Sequence, residues 1–163
     1  MEKERFIEII TENQNLIYKI CNSYCSDKEG KKDLEQEILV QLWKSIKKFD
    51  GRVKISTWVY KVALNTAISC YRKDCKRIDK PKNFDASIIS LPDFEYDSSI
   101  EEKISILYKL LDRLGAMERA LMLLYLDNYK YKEIAEVLAI SESNVATKIS
   151  RIKMTLKEQI SNY

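Results

Sequence analysis

The sequence contains no histidine, and its four cysteines include no CxxC pair. Histidine is the commonest general base in enzymes and a frequent metal ligand, so its absence disfavours most catalytic mechanisms. The cysteines are spaced by four and by five residues, which structural zinc sites rarely use. We therefore expect buried reduced thiols, no metal site, no cofactor and no catalytic residue. The four are Cys21, Cys25, Cys70 and Cys75.

Glycine, proline and long apolar runs are also scarce. Only three glycines and two prolines occur in 163 residues, and Leu, Ile, Lys and Glu dominate, which favours an all-α protein. No apolar run reaches the roughly 18 residues that a membrane helix needs, so no membrane insertion is expected. The first ten residues, MEKERFIEII, are charged and lack the apolar segment of a secretory signal, which predicts a cytoplasmic protein.

Charge is distributed unevenly, although the formal net charge is only +3. Residues 31–82 carry 14 cations and 6 anions, a net charge of +8, whereas residues 83–102 carry 6 anions and no cation. A basic block of this kind predicts an anionic partner, and the acidic stretch after it suits a solvated connection.

Helix-breaking residues divide the chain into two sets of helices. Both prolines lie in the acidic segment 78–98, which has no helical period and is interpreted as a flexible interdomain linker. The sequence thus predicts two small helical domains, at 1–77 and 99–163. The predicted helices span 3–26, 31–48, 56–76, 99–114, 116–127, 131–138 and 142–161. Helix ends are expected at Gly30, Gly51 and Gly115.

The predicted helix 56–76 has two distinct faces when its residues are placed about 100° apart. Ser56 or Thr57 is its expected N-cap. One apolar sector is expected in the core: Val59, Val62, Ala63, Thr66, Ala67 and Cys70. A second sector combines a ring, an amide, a hydroxyl and two cations: Trp58, Lys61, Asn65, Ser69 and Arg72. Cations can bind phosphates, an amide can read a base edge and a ring can stack on an unpaired base. A solvated helix face with one half-buried tryptophan fits the same pattern.

The predicted helix 31–48 has an unusual outer face. Its core sector contains Ile38, Leu39, Leu42 and Ile46. On the other side, Val40 and Trp43 lie among charged residues, an apolar centre with a polar rim that is typical of protein interfaces. Alternatively, Trp43 folds back over its own domain.

The last two predicted helices show the spacing of a helix-turn-helix motif. In 131–138, Ile134, Ala135 and Leu138 are expected to face inward, and Ser141 is expected to cap the next helix. There the apolar period predicts five core residues: Val145, Ile149, Ile152, Leu156 and Ile160. The opposite face presents short polar residues and cations, which suits the major groove, while Lys148 and Lys153 suit phosphates. A generic helical hairpin shares this periodicity.

Several of these segments resemble bacterial sigma factors. The sequences DLEQE at 33–37, LW at 42–43, FD at 49–50, STWVY at 56–60 and VALN at 62–65 resemble region 2. The segment 131–151 resembles region 4. With these two regions and a short linker, the chain resembles an extracytoplasmic-function (ECF) sigma factor over nearly its whole length. The resemblance implies a transcription initiation factor rather than an enzyme.

The resemblance also implies partners and site residues. Core RNA polymerase would dock through Asp33, Leu34, Gln36, Glu37, Val40 and Trp43. The −10 promoter element would be opened, and an extruded base held, by Arg52, Lys54, Trp58, Lys61, Asn65, Arg72 and Lys73. The −35 element would be read as duplex by Ser141, Ser143, Asn144, Thr147, Lys148 and Arg151. An anti-sigma factor is a further implied partner.

Three other functions are compatible with parts of the sequence. A stand-alone helix-turn-helix regulator would bind operators without polymerase, usually as a dimer. A small nuclease or recombinase would need a carboxylate cluster or an activated nucleophile, and Tyr129 and Tyr131 have no evident base nearby. A pure interaction module would bind polymerase without activating a promoter.

Overall fold

The computed structural model describes residues 1–77 and 98–161, and every regular element in these two ranges is helical. This confirms the predicted all-α fold. The described residues fall into two compact units, with 1–77 in the first and 98–161 in the second. The predicted linker 78–98 lies outside the described residues, apart from Ser98.

The first unit contains four α-helices and one short 3-10 turn. The helices are α1 (Glu2–Glu12), α2 (Gln14–Tyr24), α3 (Lys28–Ser45) and α4 (Ile55–Arg77), and the 3-10 turn Ile46–Lys48 follows α3. Helices α2, α3 and α4 pack against one another. Their shared core contains Ile20, Ile38, Leu42, Val59, Tyr60, Ala63 and Leu64, each at most 1% exposed. Full burial of an aliphatic side chain contributes about 1.5–3 kcal/mol, so this cluster is the main source of stability in the unit.

The single helix predicted at 3–26 is wrong, because Asn13 divides it. The Asn13 side chain is buried and its Nδ2 donates to the Ile9 carbonyl oxygen at 2.8 Å. Its backbone leaves the helical region at φ −108° and ψ 15°. The apolar period continues through this position, which explains why the sequence pattern alone does not reveal the break.

Gly30 does not end a helix, contrary to the prediction. It lies in the first turn of α3, where its backbone N–H donates to the Asp27 carboxylate at 3.1 Å. A Cβ on Gly30 would lie 2.7 Å from Asp27 Oδ1, so the capping carboxylate leaves no room for a side chain. Asp27 therefore starts α3 three residues earlier than predicted.

The start of α4 also differs slightly from the prediction. The helix begins at Ile55, and the Trp58 N–H already donates to the Lys54 carbonyl oxygen at 3.1 Å. Ser56 and Thr57 therefore lie in the first turn and are not the N-cap.

The second unit contains α5 (Ser98–Asp112), α6 (Ala116–Leu126), α7 (Tyr131–Leu138) and α8 (Glu142–Ile160). Helix α6 packs against α5, α7 and α8, and α7 packs against α8. Gly115 immediately precedes α6 in an extended conformation, so it marks the start of that helix. Val145, Ile149, Ile152 and Leu156 are buried as predicted, whereas Ile160 is 55% exposed, contrary to the prediction.

A buried arginine joins α5 to α6. Arg119 is 0% exposed, and its Nη2 donates to the carbonyl oxygens of Asp112 and Leu114, both at 3.0 Å. The same nitrogen lies 3.8 Å from Asp112 Oδ1. The last carbonyl oxygens of a helix have no intrahelical donor. Arg119 of α6 therefore supplies hydrogen bonds that the end of α5 lacks.

Cys21, Cys25 and Cys70 form no disulfide, but only Cys21 is buried, so the predicted burial is wrong for Cys25 and Cys70, which are half-buried. Burial, with a smaller effect from Cys25, raises the pKa of Cys21 to about 12. A thiol with this pKa stays protonated at neutral pH and is a poor nucleophile. Cys21 is therefore a core residue.

Replacing Arg119 with methionine should destabilise the second unit. The substitution keeps most of the apolar volume but leaves the carbonyls of Asp112 and Leu114 without this donor, which costs about 1–3 kcal/mol. Urea unfolding of the full chain measures the effect, with Lys109→Met, an exposed cation on α5, as the control. Equal stability of the two variants would contradict this structural role.

Candidate nucleic-acid and protein-binding surfaces

The outer face of α3 presents most of the residues predicted to bind polymerase. Asp33, Gln36 and Glu37 are exposed, and Val40 and Trp43 are 43% and 44% exposed. Leu34 is different, because it is only 5% exposed and belongs to the domain core. It supports this face from beneath and does not present its side chain to a partner.

Trp43 is both anchored and accessible. Its ring packs edge-on against Phe6 of α1, with 5.0 Å between the ring centroids and 77° between the planes. Nearby, Lys47 Nζ lies 3.8 Å from Glu2 Oε1. The tryptophan thus folds partly over its own domain, and the other part of the ring stays open to solvent.

The loop between the 3-10 turn and α4 has its own internal contacts. The Phe49 and Trp58 rings, one at each end of the loop, lie 5.3 Å apart. Within the loop, Asp50 Oδ1 accepts a hydrogen bond from the Arg52 N–H at 3.1 Å, and Asp50 Oδ2 lies 3.2 Å from Arg52 Nε. Arg52 and Lys54 are both exposed. The loop is therefore basic, exposed and locally ordered.

Helix α4 displays the predicted polar stripe. Lys61, Asn65, Ser69 and Arg72 are exposed, as is Lys73, while Trp58 is half-buried. The buried side of α4 is displaced from the prediction. It takes in Tyr60, Leu64 and Ile68, whereas Val62 and Cys70 are only half-buried. The stripe is therefore the part of α4 that stays exposed to solvent when the rest of the helix packs into the core.

The stripe borders an open groove of about 880 Å³ between α3 and α4. Its walls bring Asp33 and Glu37 of α3 together with Trp58, Lys61 and Asn65 of α4. Other polar lining residues are Gln41, Ser45, Thr66, Ser69, Lys73 and Asp74. Cys70 also lines the groove, and burial, followed by the charge of Glu37, raises its thiol pKa. The family resemblance implied different partners for the two helices, and the groove that they share was not predicted.

Helices α7 and α8 form the predicted helix-turn-helix. Ala139 ends α7 in the left-handed region, at φ 54° and ψ 45°, and the Ile140 N–H donates to the Ala135 carbonyl oxygen at 3.1 Å. Ser141 caps α8 as predicted, with its Oγ accepting from the Asn144 N–H at 3.1 Å. On α7, Val137 is buried and Ala135 is only half-buried.

The first turns of α8 present a short polar face. Ser143, Asn144, Thr147, Ser150 and Arg151 are exposed. The residues on the opposite side of α8 are buried, and their packing holds the helix in place. Cationic and amide side chains on such a face can read base edges in the major groove.

Several side chains of the predicted motif also contact the protein itself. The Ser141 hydroxyl is used for capping. Lys148 Nζ lies 3.9 Å from Glu118 Oε1 of α6. Lys153 Nζ lies 4.1 Å from the centre of the Tyr125 ring, and a hydrogen bond with Tyr125 raises the Lys153 pKa. Arg151 is thus better placed than Lys153 to reach an external anion.

Within residues 1–77 and 98–161, no group of three potential His, Cys, Asp or Glu ligands could hold a metal ion. In the same ranges, no helix is long and apolar enough to cross a membrane. The chemistry that these surfaces do offer is hydrogen bonding, ring stacking and ion pairing with phosphates.

Comparison with known proteins identifies the two units. The family model for Sigma-70 region 2 matches residues 9–77, and the model for Sigma-70 region 4 matches residues 104–156. The chain is 30% identical over 136 residues to the RNA polymerase sigma factor YlaC of Bacillus subtilis (strain 168), covering 81% of this chain and 78% of the relative. It is 27% identical over 180 residues to the ECF RNA polymerase sigma factor SigW of the same organism, covering 98% and 90%.

Solved structures show the same fold. The sigma factor RpoE from Bartonella quintana, in complex with the anti-sigma factor NepR, matches with a TM-score of 0.69 at 19% identity and covers 98% of this chain and 96% of that one. CnrH, in complex with the cytosolic domain of CnrY, matches with a TM-score of 0.68 at 16% identity and covers 98% and 90%.

A region 2 unit followed by a region 4 unit defines the class of Sigma-70-type proteins. Within that class, the chain belongs to the ECF RNA polymerase sigma factors. It is a non-catalytic transcription initiation factor that directs polymerase to promoters, which confirms the predicted function over a stand-alone regulator.

Proposed function

We propose that this sigma factor acts in the cytoplasm through three surfaces, the first two of which meet along the groove between α3 and α4. The exposed face of α3, formed by Asp33, Gln36, Glu37, Val40 and Trp43, binds the clamp of core RNA polymerase. The loop 50–55 and the polar stripe of α4 bind the opened −10 element. The N-terminal half of α8 binds the −35 element as duplex. Residues 1–77 and 99–163 are the corresponding domains, joined by the linker 78–98.

The observation that carries this proposal is the polar stripe of α4. A helix that buries Val59, Tyr60, Ala63 and Leu64 nevertheless keeps Asn65 exposed beside an open groove. Asn65 has both a hydrogen-bond donor and an acceptor, and Trp58 offers a ring for stacking. These groups suit an unpaired base, whose edge and face are both accessible.

The α3 face also suits an anti-sigma factor. Val40 and Trp43 form an exposed apolar centre within a rim of charged and amide groups. RpoE was solved in complex with the anti-sigma factor NepR, and CnrH was solved in complex with the cytosolic domain of CnrY. A regulator that covers this face would compete with polymerase, so release of the sigma factor would be the activating step.

The two DNA contacts gain strength from polymerase. A free chain of net charge +3 is expected to bind DNA weakly, because phosphate neutralisation dominates affinity. Polymerase fixes the spacing between the domains, so the second contact forms at a high effective concentration. In vitro transcription with core polymerase on a genomic fragment library, with start-site mapping, tests the proposal. Start sites that share two upstream elements would support it, and transcription that does not depend on this chain would refute it.

Replacing Asn65 with alanine should impair promoter opening but not polymerase binding. Loss of the amide removes base contacts worth about 1–3 kcal/mol, which corresponds to roughly a 5- to 150-fold loss of open complexes. Permanganate reactivity of the −10 thymines measures opening, and a polymerase pull-down measures assembly. Asn15→Ala, on the exposed side of α2 and away from the groove, is the matched control. Unchanged opening in Asn65→Ala would remove Asn65 from the site.

Replacing Arg151 with alanine should reduce discrimination among −35 sequences by about 1–3 kcal/mol. Lys157→Ala removes the same charge further along α8, so it should weaken binding to all sequences similarly. Transcription from a set of promoters with single −35 changes measures both effects. Identical −35 preferences in the wild type and Arg151→Ala would show that Arg151 does not read bases.

A further inference from the structure

A single carboxylate lies within the most basic part of the first unit. Between residues 38 and 73, Asp50 is the only acidic residue, and the same 36 residues carry eight Lys or Arg residues. If this segment binds a phosphate backbone, a negative charge within it opposes binding by simple electrostatics. The position of Asp50 therefore needs a local explanation.

Asp50 contacts Arg52 with both carboxylate oxygens. Oδ1 accepts from the Arg52 backbone N–H at 3.1 Å, and Oδ2 lies 3.2 Å from Arg52 Nε. Gly51, between them, has a φ of +75°, which turns the chain so that residues 50 and 52 meet. One carboxylate thus sets both the backbone turn and the direction of the guanidinium group.

The loop that carries this pair is held at both ends. The Phe49 N–H donates to the Ile46 carbonyl oxygen at 3.1 Å, and the Trp58 N–H donates to the Lys54 carbonyl oxygen at 3.1 Å. The Phe49 and Trp58 rings lie 5.3 Å apart across the loop. Arg52 therefore projects from a short loop that is tied to the same helix as Asn65.

We propose that Asp50 is a positioning residue that orients Arg52 toward a phosphate of the unpaired −10 strand. Because Oδ2 holds Nε, the two Nη groups at the far end of the guanidinium remain available for a phosphate. The inference rests on the proposed function, since it assumes that the loop binds this strand. It gives Asp50 a role in DNA binding, although Asp50 is an anion and does not itself contact DNA in this proposal.

Stability does not account for the pair. The Arg52 and Asp50 side chains are 87% and 57% exposed, and ion pairs this accessible to water contribute little to folding. Removing the pair should leave the thermal unfolding midpoint of the protein unchanged. The pair should instead affect DNA binding. If Asp50 positions Arg52, removing Asp50 weakens binding, whereas simple electrostatics predicts that removing a negative charge strengthens it.

The test measures binding of a fluorescein-labelled single-stranded oligonucleotide, carrying the −10 sequence found by start-site mapping, to the polymerase holoenzyme. Asp50→Ala should weaken binding by about fivefold or more, although it removes a negative charge. Glu8→Ala removes the same charge from an exposed position on α1 and should change binding by less than about twofold, because salt screens distant charges. Asp50→Asn, which keeps the turn but loses the charge, should fall between Asp50→Ala and the wild type.

Two further measurements show whether Asp50 acts through Arg52. The double variant of Asp50→Ala and Arg52→Ala should bind like Arg52→Ala alone. Asp50→Ala and Arg52→Ala should each reduce the salt dependence of binding by about 0.7 in the slope of log K against log salt, the loss of one single-strand phosphate contact.

The possible failures are distinguishable. If Asp50→Ala binds as tightly as the wild type or more tightly, while Arg52→Ala weakens binding, the positioning role is wrong and the loop assignment stands. If Asp50→Ala weakens binding equally with and without Arg52, Asp50 does not act through Arg52. If Arg52→Ala itself has no effect, Arg52 does not bind the strand and the positioning role is wrong, whereas the Asn65→Ala measurement decides separately whether α4 binds the −10 element.

Discussion

The packing of α4 against α2 and α3 is the constraint on which the first unit depends. Val59, Tyr60, Ala63 and Leu64 are at most 1% exposed, so almost half of the helix circumference is fixed in the core. That burial decides which residues remain outside and holds Asn65 beside a groove whose other wall is α3. A rigid helix can capture an extruded base without first ordering itself, so less of the interaction energy is lost to conformational entropy.

The second unit also fixes one helix so that its polar face stays exposed, but it does so through other contacts. Arg119 closes the end of α5, and the buried row along α8 fixes that helix against α6 and α7. The polar side of α8, from Ser143 to Arg151, then has a defined orientation relative to its own unit. Each unit thus presents one short polar helix face. Two weak contacts of this size become selective when a larger assembly sets their spacing.

Some local features and the buried faces of some helices could be predicted from the sequence, whereas contacts that depend on how the chain turns could not. Ser141 was predictable as an N-cap because a cap depends on residues three apart. Leu34 was assigned to a surface by its place in a family motif, although its spacing with Ile38 and Leu42 already indicated the core. Asn13 and Arg119 were missed because their hydrogen-bonding partners depend on how the chain turns around them. The groove was missed because its two walls lie on separate helices.

Photocrosslinking from α4 and α8 tests whether these two helices contact the two promoter elements. A photoreactive amino acid placed at position 65 or at position 147 of the full chain is assembled with core polymerase and promoter DNA. Position 65 is expected to crosslink to the non-template strand of the −10 element, and position 147 is expected to crosslink to the −35 duplex. Crosslinks from position 65 to polymerase subunits alone, or to double-stranded DNA away from −10, would contradict it.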